Sequence, residues 1–166
     1  SDADVAEGVA ATRDQALSLM AVLLRLPRLA YGFDSEYWWN PTVAASYERV
    51  ITDLRDHARG GFVPTAVRIT PAEADSLADG DTLTVQMTLA GRPLADRLAF
   101  YGDMFDVSLI QFINGALAVT AAPGRFYWIN TSDQMVVVIY LTSAQYAALH
   151  PLCQPDLRPF DDIWPP

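Results

Sequence analysis

The chain contains no lysine and a single cysteine, Cys153, and each scarcity narrows what it can be. One cysteine cannot close an internal disulfide, so nothing in the residues asks for an oxidising compartment. The cytoplasm is the default expectation, although a processed secreted or periplasmic form starting at Ser1 would look the same. Without lysine the phosphate-cradling pattern GxxxxGK[ST] is impossible, and neither GxGxxG nor GxSxG occurs. Long apolar runs are missing too. The longest, Leu17 to Leu24, is interrupted by Ser18 and closed by Arg25 and Pro27, far short of the ~20 residues that span a bilayer. No membrane association is expected.

What is present is acid. Eleven basic residues, all arginine, face 20 acids, for a net charge of −9. A surface of that sign repels phosphate backbones, so nucleic acid is not an expected partner, and a basic protein or a cation is the natural complement. With 166 residues, 51% of them hydrophobic, the chain can bury a core without disulfide or metal. The expectation is a single domain over 1–166, helical over 1–60, sheet-rich over 61–150, with an extended tail over 151–166.

Periodicity predicts the elements. From Asp2 to Leu26, Val5, Val9, Ala16, Leu19, Met20 and Leu23 recur at helical spacing, with Asp2, Asp4 and Glu7 in the first turn. Asn40-Pro41 signals the start of a second helix running to Arg59, with Val43, Tyr47, Val50, Ile51, Leu54 and Ala58 on one stripe and Gly60-Gly61 beyond its end. Thr65 to Thr70 and Thr82 to Leu89 alternate as strands, the latter with Leu83, Val85, Met87 and Leu89 inward; Asp79-Gly80-Asp81 is a turn. Pro93 to Phe105 reads as a helix through Leu94, Leu98, Tyr101 and Phe105, although a strand is tolerated. Asn114-Gly115 predicts a hairpin joining Val107–Ile113 to Ala116–Ala121. A second hairpin joins Phe126–Asn130 to Met135–Leu141, whose uniformly apolar run suits a strand covered on both faces. Ile69-Thr-Pro-Ala-Glu73 with Leu77 echoes Leu141-Thr-Ser-Ala-Gln145 with Leu149, each a strand followed by a capping box, and Leu157, Phe160, Ile163 and Trp164 should lie across the body. The expected fold is α+β: an antiparallel or mixed sheet of five to six strands with two N-terminal helices packed on one face.

Candidate chemistry is thin. His150-Pro-Leu-Cys153 is the one local Cys and His pair, and its spacing matches no nucleophile signature, so Cys153 reads as a packed thiol. Asp53, Asp56 and His57 are the densest group of metal-type ligands, yet Asp53 and His57 at i and i+4 are better explained by a local ion pair on a solvated helix face. Asp79-Gly-Asp81 lacks the remaining ligands of a calcium loop. No catalytic residue, metal or cofactor is assigned.

The stretch Arg28 to Asn40 has no regular period and carries five aromatics, and within it Asp34, Glu36, Tyr37, Trp38 and Trp39 combine acids with wide rigid rings. Such a combination is the composition of a protein-binding hot spot; Phe126-Tyr-Trp128 is the second aromatic group and suits core cover. The leading expectation is therefore a non-enzymatic acidic binding protein, of inhibitor, immunity or antitoxin-like type, occupying a basic surface of a protein partner through those five residues. A small enzyme or ligand-binding domain with a pocket between sheet and helices is the alternative, and pairing with a second copy through a hairpin edge or the apolar tail stays open. Because no cluster of ligands is present in the sequence, dialysis against a chelator should leave the thermal midpoint of unfolding unchanged; a large fall would redirect attention to Asp53, Asp56 and His57.

Overall fold

Alternation of apolar and polar side chains over Thr82–Leu89 produces the central strand of a three-stranded antiparallel sheet, flanked by Thr65–Thr70 and Arg92–Ala99. The computed structural model describes residues 29–35, 42–71, 77–102, 104–131, 135–153 and 156–160, and among them seven strands and three helices follow one another. They are β1 (Ala30–Asp34), α1 (Val43–His57), β2 (Thr65–Thr70), β3 (Thr82–Leu89), β4 (Arg92–Ala99), α2 (Ser108–Val119), β5 (Gly124–Ile129), β6 (Met135–Thr142), α3 (Ser143–Cys153) and β7 (Leu157–Pro159). None of the described helices is long and apolar enough to cross a membrane.

On β3, Leu83, Val85, Met87 and Leu89 are buried as their alternation predicts. The helix expected from Pro93 is instead β4, which pairs with β3 from Arg92↔Leu89 to Ala99↔Thr82. Ala90 and Gly91, both at positive φ (50° and 76°), make the two-residue turn, whose mirror-image geometry matches the twist of the strands it joins. Leu94 and Leu98 misled because a spacing of four falls on one face of a strand as well as of a helix. The outer edge of β4 is closed by its own sequence: Pro93 has no N–H, Asp96 Oδ1 accepts from Arg97 N at 2.8 Å, and Asp106 Oδ2 accepts from Ala99 N at 2.8 Å. Side chains thus occupy donors that another strand would use.

That closure is one reason the strands divide into two sheets, in place of the single sheet of five to six expected. The other sheet has the order β1-β6-β5-β7, all antiparallel. Its central strand β6 is covered on both faces, as the apolar run implied. Val136 and Val138 enter a core shared with α1, α2 and the three-stranded sheet, while Val137, Ile139 and Leu141 meet Cys153 of α3 and Leu157 on the other side. From the tail, Leu157 and Phe160 are buried; Ile163 and Trp164 lie outside the described residues.

The helix α1 buries Tyr47, Val50, Ile51 and Leu54 on the predicted stripe, and Thr42 caps it by accepting from Ala45 N at 3.1 Å. Asn40 and Pro41, expected at that start, fall outside the described residues, as does the whole helix expected over Asp2 to Leu26. The fold therefore shows one helix of the expected pair, with α3 on the opposite face of the sheet. Thr142 and Gln145 form the anticipated capping box of α3: Thr142 N donates to Gln145 Oε1 at 2.9 Å and Gln145 N to Thr142 Oγ1 at 3.3 Å. The corresponding residues 72–76 of the earlier echo are not described.

The hairpin expected at Asn114-Gly115 is overturned: both residues lie inside α2. Leu109, Ile110, Ile113, Ala116 and Leu117 share a buried helical stripe, and Asn114, 8% exposed, uses its side chain as a strand would use its backbone. Its Nδ2 donates to Phe126 O at 2.9 Å and its Oδ1 accepts from Phe126 N at 2.8 Å. Since β7 pairs β5 over Tyr127, Trp128 and Ile129 and goes no further, the amide completes the edge where the ladder ends. Replacing Asn114 by Leu should lower the unfolding free energy in urea by roughly 2–4 kcal/mol, because both Phe126 backbone groups would be stranded in the core. A loss below about 1 kcal/mol would show that they find other partners.

Candidate functional site

Of the five residues expected to meet a partner, Asp34 is described: it ends β1, half-buried, opposite Met135. Glu36, Tyr37, Trp38 and Trp39 lie outside the described residues. The first part of that aromatic stretch is a strand, contrary to its irregular sequence appearance. Alternation along β1 turns Tyr31 and Phe33 toward the main core, where Phe33 meets Phe105 edge-on at 4.9 Å and Phe105 stacks on Tyr47 at 4.8 Å. These two rings serve packing. On β5, Phe126 and Tyr127 are likewise buried.

Two further segments converge on the end of β1, and neither was visible in the sequence as part of a site. Phe105 N donates to Ser35 O at 3.0 Å, which carries the turn Tyr101 to Met104 alongside. Met104 N closes that turn on Tyr101 O at 3.2 Å, and both side chains are large, apolar and open to solvent, Tyr101 at 54% and Met104 at 48%. The Asp79–Asp81 turn lies against it: Gly80 N donates to Phe100 O at 2.9 Å, Phe100 N donates to Asp81 O at 2.8 Å, and a Cβ on Gly102 would stand 3.0 Å from Asp79 Oδ1. Asp106 nearby is committed to structure, accepting from Ala99 N and Ser108 N, while its own N–H donates to the Tyr47 hydroxyl at 3.2 Å.

The backbone bond from Phe105 to Ser35 thus sets the exposed Tyr101–Met104 turn near the end of β1, and the Asp79–Asp81 turn packs beside Phe100 and Gly102. The described residues of these segments, 29–35, 77–81 and 100–106, contain no arginine. The described residues as a whole are close to balanced, with eight arginines and nine acids, whereas the other residues hold three arginines and eleven acids. The acid excess therefore belongs to the segments outside the described frame.

On α1, the expected ion pair of Asp53 and His57 is replaced by a contact between His57 Nδ1 and the Asp53 backbone carbonyl at 2.7 Å. Asp53 instead faces Arg49 at 3.8 Å and Arg55 faces Asp56 at 2.8 Å, both largely solvated pairs. Tyr31 hydrogen-bonds the Asp53 side chain; burial, with the Asp53 charge and this bond, pushes its hydroxyl pKa well up. Burial also raises Tyr47, the nearby Asp106 carboxylate adding to it while the Asp106 N–H opposes it. Among the described residues no three of His, Cys, Asp and Glu stand together as metal ligands. Cys153 is fully buried, and burial followed by Asp156 pushes its thiol up, away from the nucleophilic thiolate. The His150 ring rests on Tyr146 at 4.9 Å.

Comparisons with protein-family models, with curated proteins and with solved structures find no match.

Tyr31 and Tyr47 hold their protons more tightly in the fold than in the unfolded chain, so their contribution to stability is complete below the ordinary tyrosine pKa of about 10 and is lost as pH rises through and above it. The thermal midpoint should fall steeply on the alkaline side of that value, and Tyr31→Phe should flatten the fall. Phenolate absorbance rising at ordinary tyrosine pH for every tyrosine, before unfolding, would contradict this.

Proposed function

We propose that this chain is a non-enzymatic binding protein, of inhibitor, immunity or antitoxin-like type, that engages a basic surface of a protein partner through the face built on Asp34. The observation that carries the reading is the exposed pair Tyr101 and Met104, on a turn that backbone bonds tie to the end of β1 and to the Asp79–Asp81 turn. Aromatic and methionine side chains contribute contact area at the centre of an interface, while surrounding acids attract a cationic partner and set its orientation. Glu36, Tyr37, Trp38 and Trp39 follow Asp34 directly in the chain and extend the same composition. Among the described residues, Cys153 is buried with its thiol pKa pushed up by that burial, and Asp106 is occupied in holding backbone N–H groups.

Two kinetic signatures separate the parts of this surface. With the partner isolated by affinity capture, Asp34→Asn combined with Glu36→Gln should slow association and flatten its salt dependence, because charge acts on encounter. Tyr101→Ala, or Trp38→Ala, should speed dissociation and cost on the order of 2 kcal/mol, because an anchoring ring acts on the formed complex. If every folded variant binds like the parent, the face is not the contact surface.

A further inference from the structure

We propose that the solvent face of the three-stranded sheet binds an extended acidic segment of a partner protein, with Arg68 and Arg97 as its two anchors. It is opposite in sign to the acidic contact surface, and nothing about it depends on that surface.

The strand register builds this face. Alternation sends Leu83, Val85, Met87 and Leu89 of β3 into the core, so Thr82, Thr84, Gln86 and Thr88 point the other way. Residues directly opposite in an antiparallel pair share a face, and the pairing sets Arg68 of β2 against Gln86 and Arg97 of β4 against Thr84. The irregularity in β2 has a consequence here. Thr65 and Arg68, three residues apart, would lie on opposite faces of a regular strand, but the bulge between them, with Ala66 at φ 51°, brings both to the solvent side. Arg68, Gln86 and Arg97 are all exposed.

The charges decide the partner class. The three strands place no carboxylate on this face: the acid within β4, Asp96, stands opposite Val85 on the other side, and its Oδ1 accepts from Arg97 N. Among the described residues neither guanidinium has a carboxylate or a hydrogen-bond acceptor, whereas Arg49 meets Asp53 and Arg55 meets Asp56. In a chain of net charge −9, two arginines without counter-ions on an acid-free surface are complementary to an anion. Their spacing gives its form. They stand two strands apart and two residues out of step, which puts their Cα atoms about 12 Å apart. An extended chain covers that distance in about four residues, and side chains so spaced emerge on the same side of it. Between the two arginines lie the Thr84 hydroxyl and the Gln86 amide, groups able to bond the backbone of such a segment. A nucleic acid strand fits less well, because the face offers no aromatic ring for a base to stack on and the net charge of the chain opposes a polyanion.

The test is a nuclear magnetic resonance titration of the whole chain at low salt with three probes: a synthetic serine and threonine peptide carrying two aspartates about four residues apart, its asparagine counterpart, and an oligothymidylate. The aspartate peptide should shift the amide signals of Arg68, Thr84, Gln86 and Arg97 saturably at millimolar concentration, and added salt should weaken the response. Arg68→Gln and Arg97→Gln should each weaken binding roughly threefold and together roughly tenfold, the scale of solvated ion pairs at independent sites, with the remaining amide signals confirming the fold. Arg55→Gln, which removes the same charge from α1, should leave binding unchanged. No saturable response, an equal response to the asparagine peptide, or an equal loss in Arg55→Gln overturns the site; tighter binding of the oligothymidylate at the same residues overturns the choice of an acidic peptide.

Discussion

A buried carboxamide ties the helical layer to the sheet. The Asn114 side chain both donates to and accepts from the Phe126 backbone, so a helix residue stands in for a strand at the position where β7 ceases to pair with β5. Each bond contributes on the order of 1 kcal/mol net, but the cost of leaving either Phe126 group without a partner in the core is larger, and that asymmetry makes the pairing selective. One rotation and one height of α2 satisfy it. With α2 so placed, its stripe of Leu109, Ile110, Ile113 and Leu117 meets the shared core.

The start of α2 is fixed by a second junction. Asp106 receives N–H groups from the last residue of β4 and from the first turn of α2, and its own N–H reaches the Tyr47 hydroxyl of α1. Phe105, one residue earlier, is gripped between Phe33 and Tyr47 and bonds Ser35. The three-stranded sheet, α1 and β1 are thereby joined around two adjacent residues. The exposed Tyr101–Met104 turn is presented beside Asp34 because Phe105 is anchored there.

The described frame carries nearly equal numbers of arginines and acids, and its helix surfaces hold solvated pairs such as Arg49 with Asp53 and Arg55 with Asp56, which contribute little to stability. Arg125 lies over the ring of Tyr127.

By itself the sequence determined the α+β class, the strands over Thr65–Thr70 and Thr82–Leu89, the buried stripe of α1, the capping box of α3 and the doubly covered β6, because in each the period of apolar residues or a local cap admits one reading. The proposed contact residues Asp34, Glu36, Tyr37, Trp38 and Trp39 rest on composition alone. Tertiary structure decided the rest. Asn114-Gly115 has the local chemistry of a hairpin turn, but the amide finds two partners twelve residues away, and a satisfied buried polar group outweighs a turn preference. Leu94 and Leu98 fit helix and strand alike, and pairing with β3 chose between them. The Tyr101–Met104 turn meets the end of β1 and the Asp79–Asp81 turn only through backbone bonds between residues far apart in sequence, such as Ser35 with Phe105 and Gly80 with Phe100. No one-dimensional pattern encodes those meetings, since each residue's own neighbours are the same whether or not they occur.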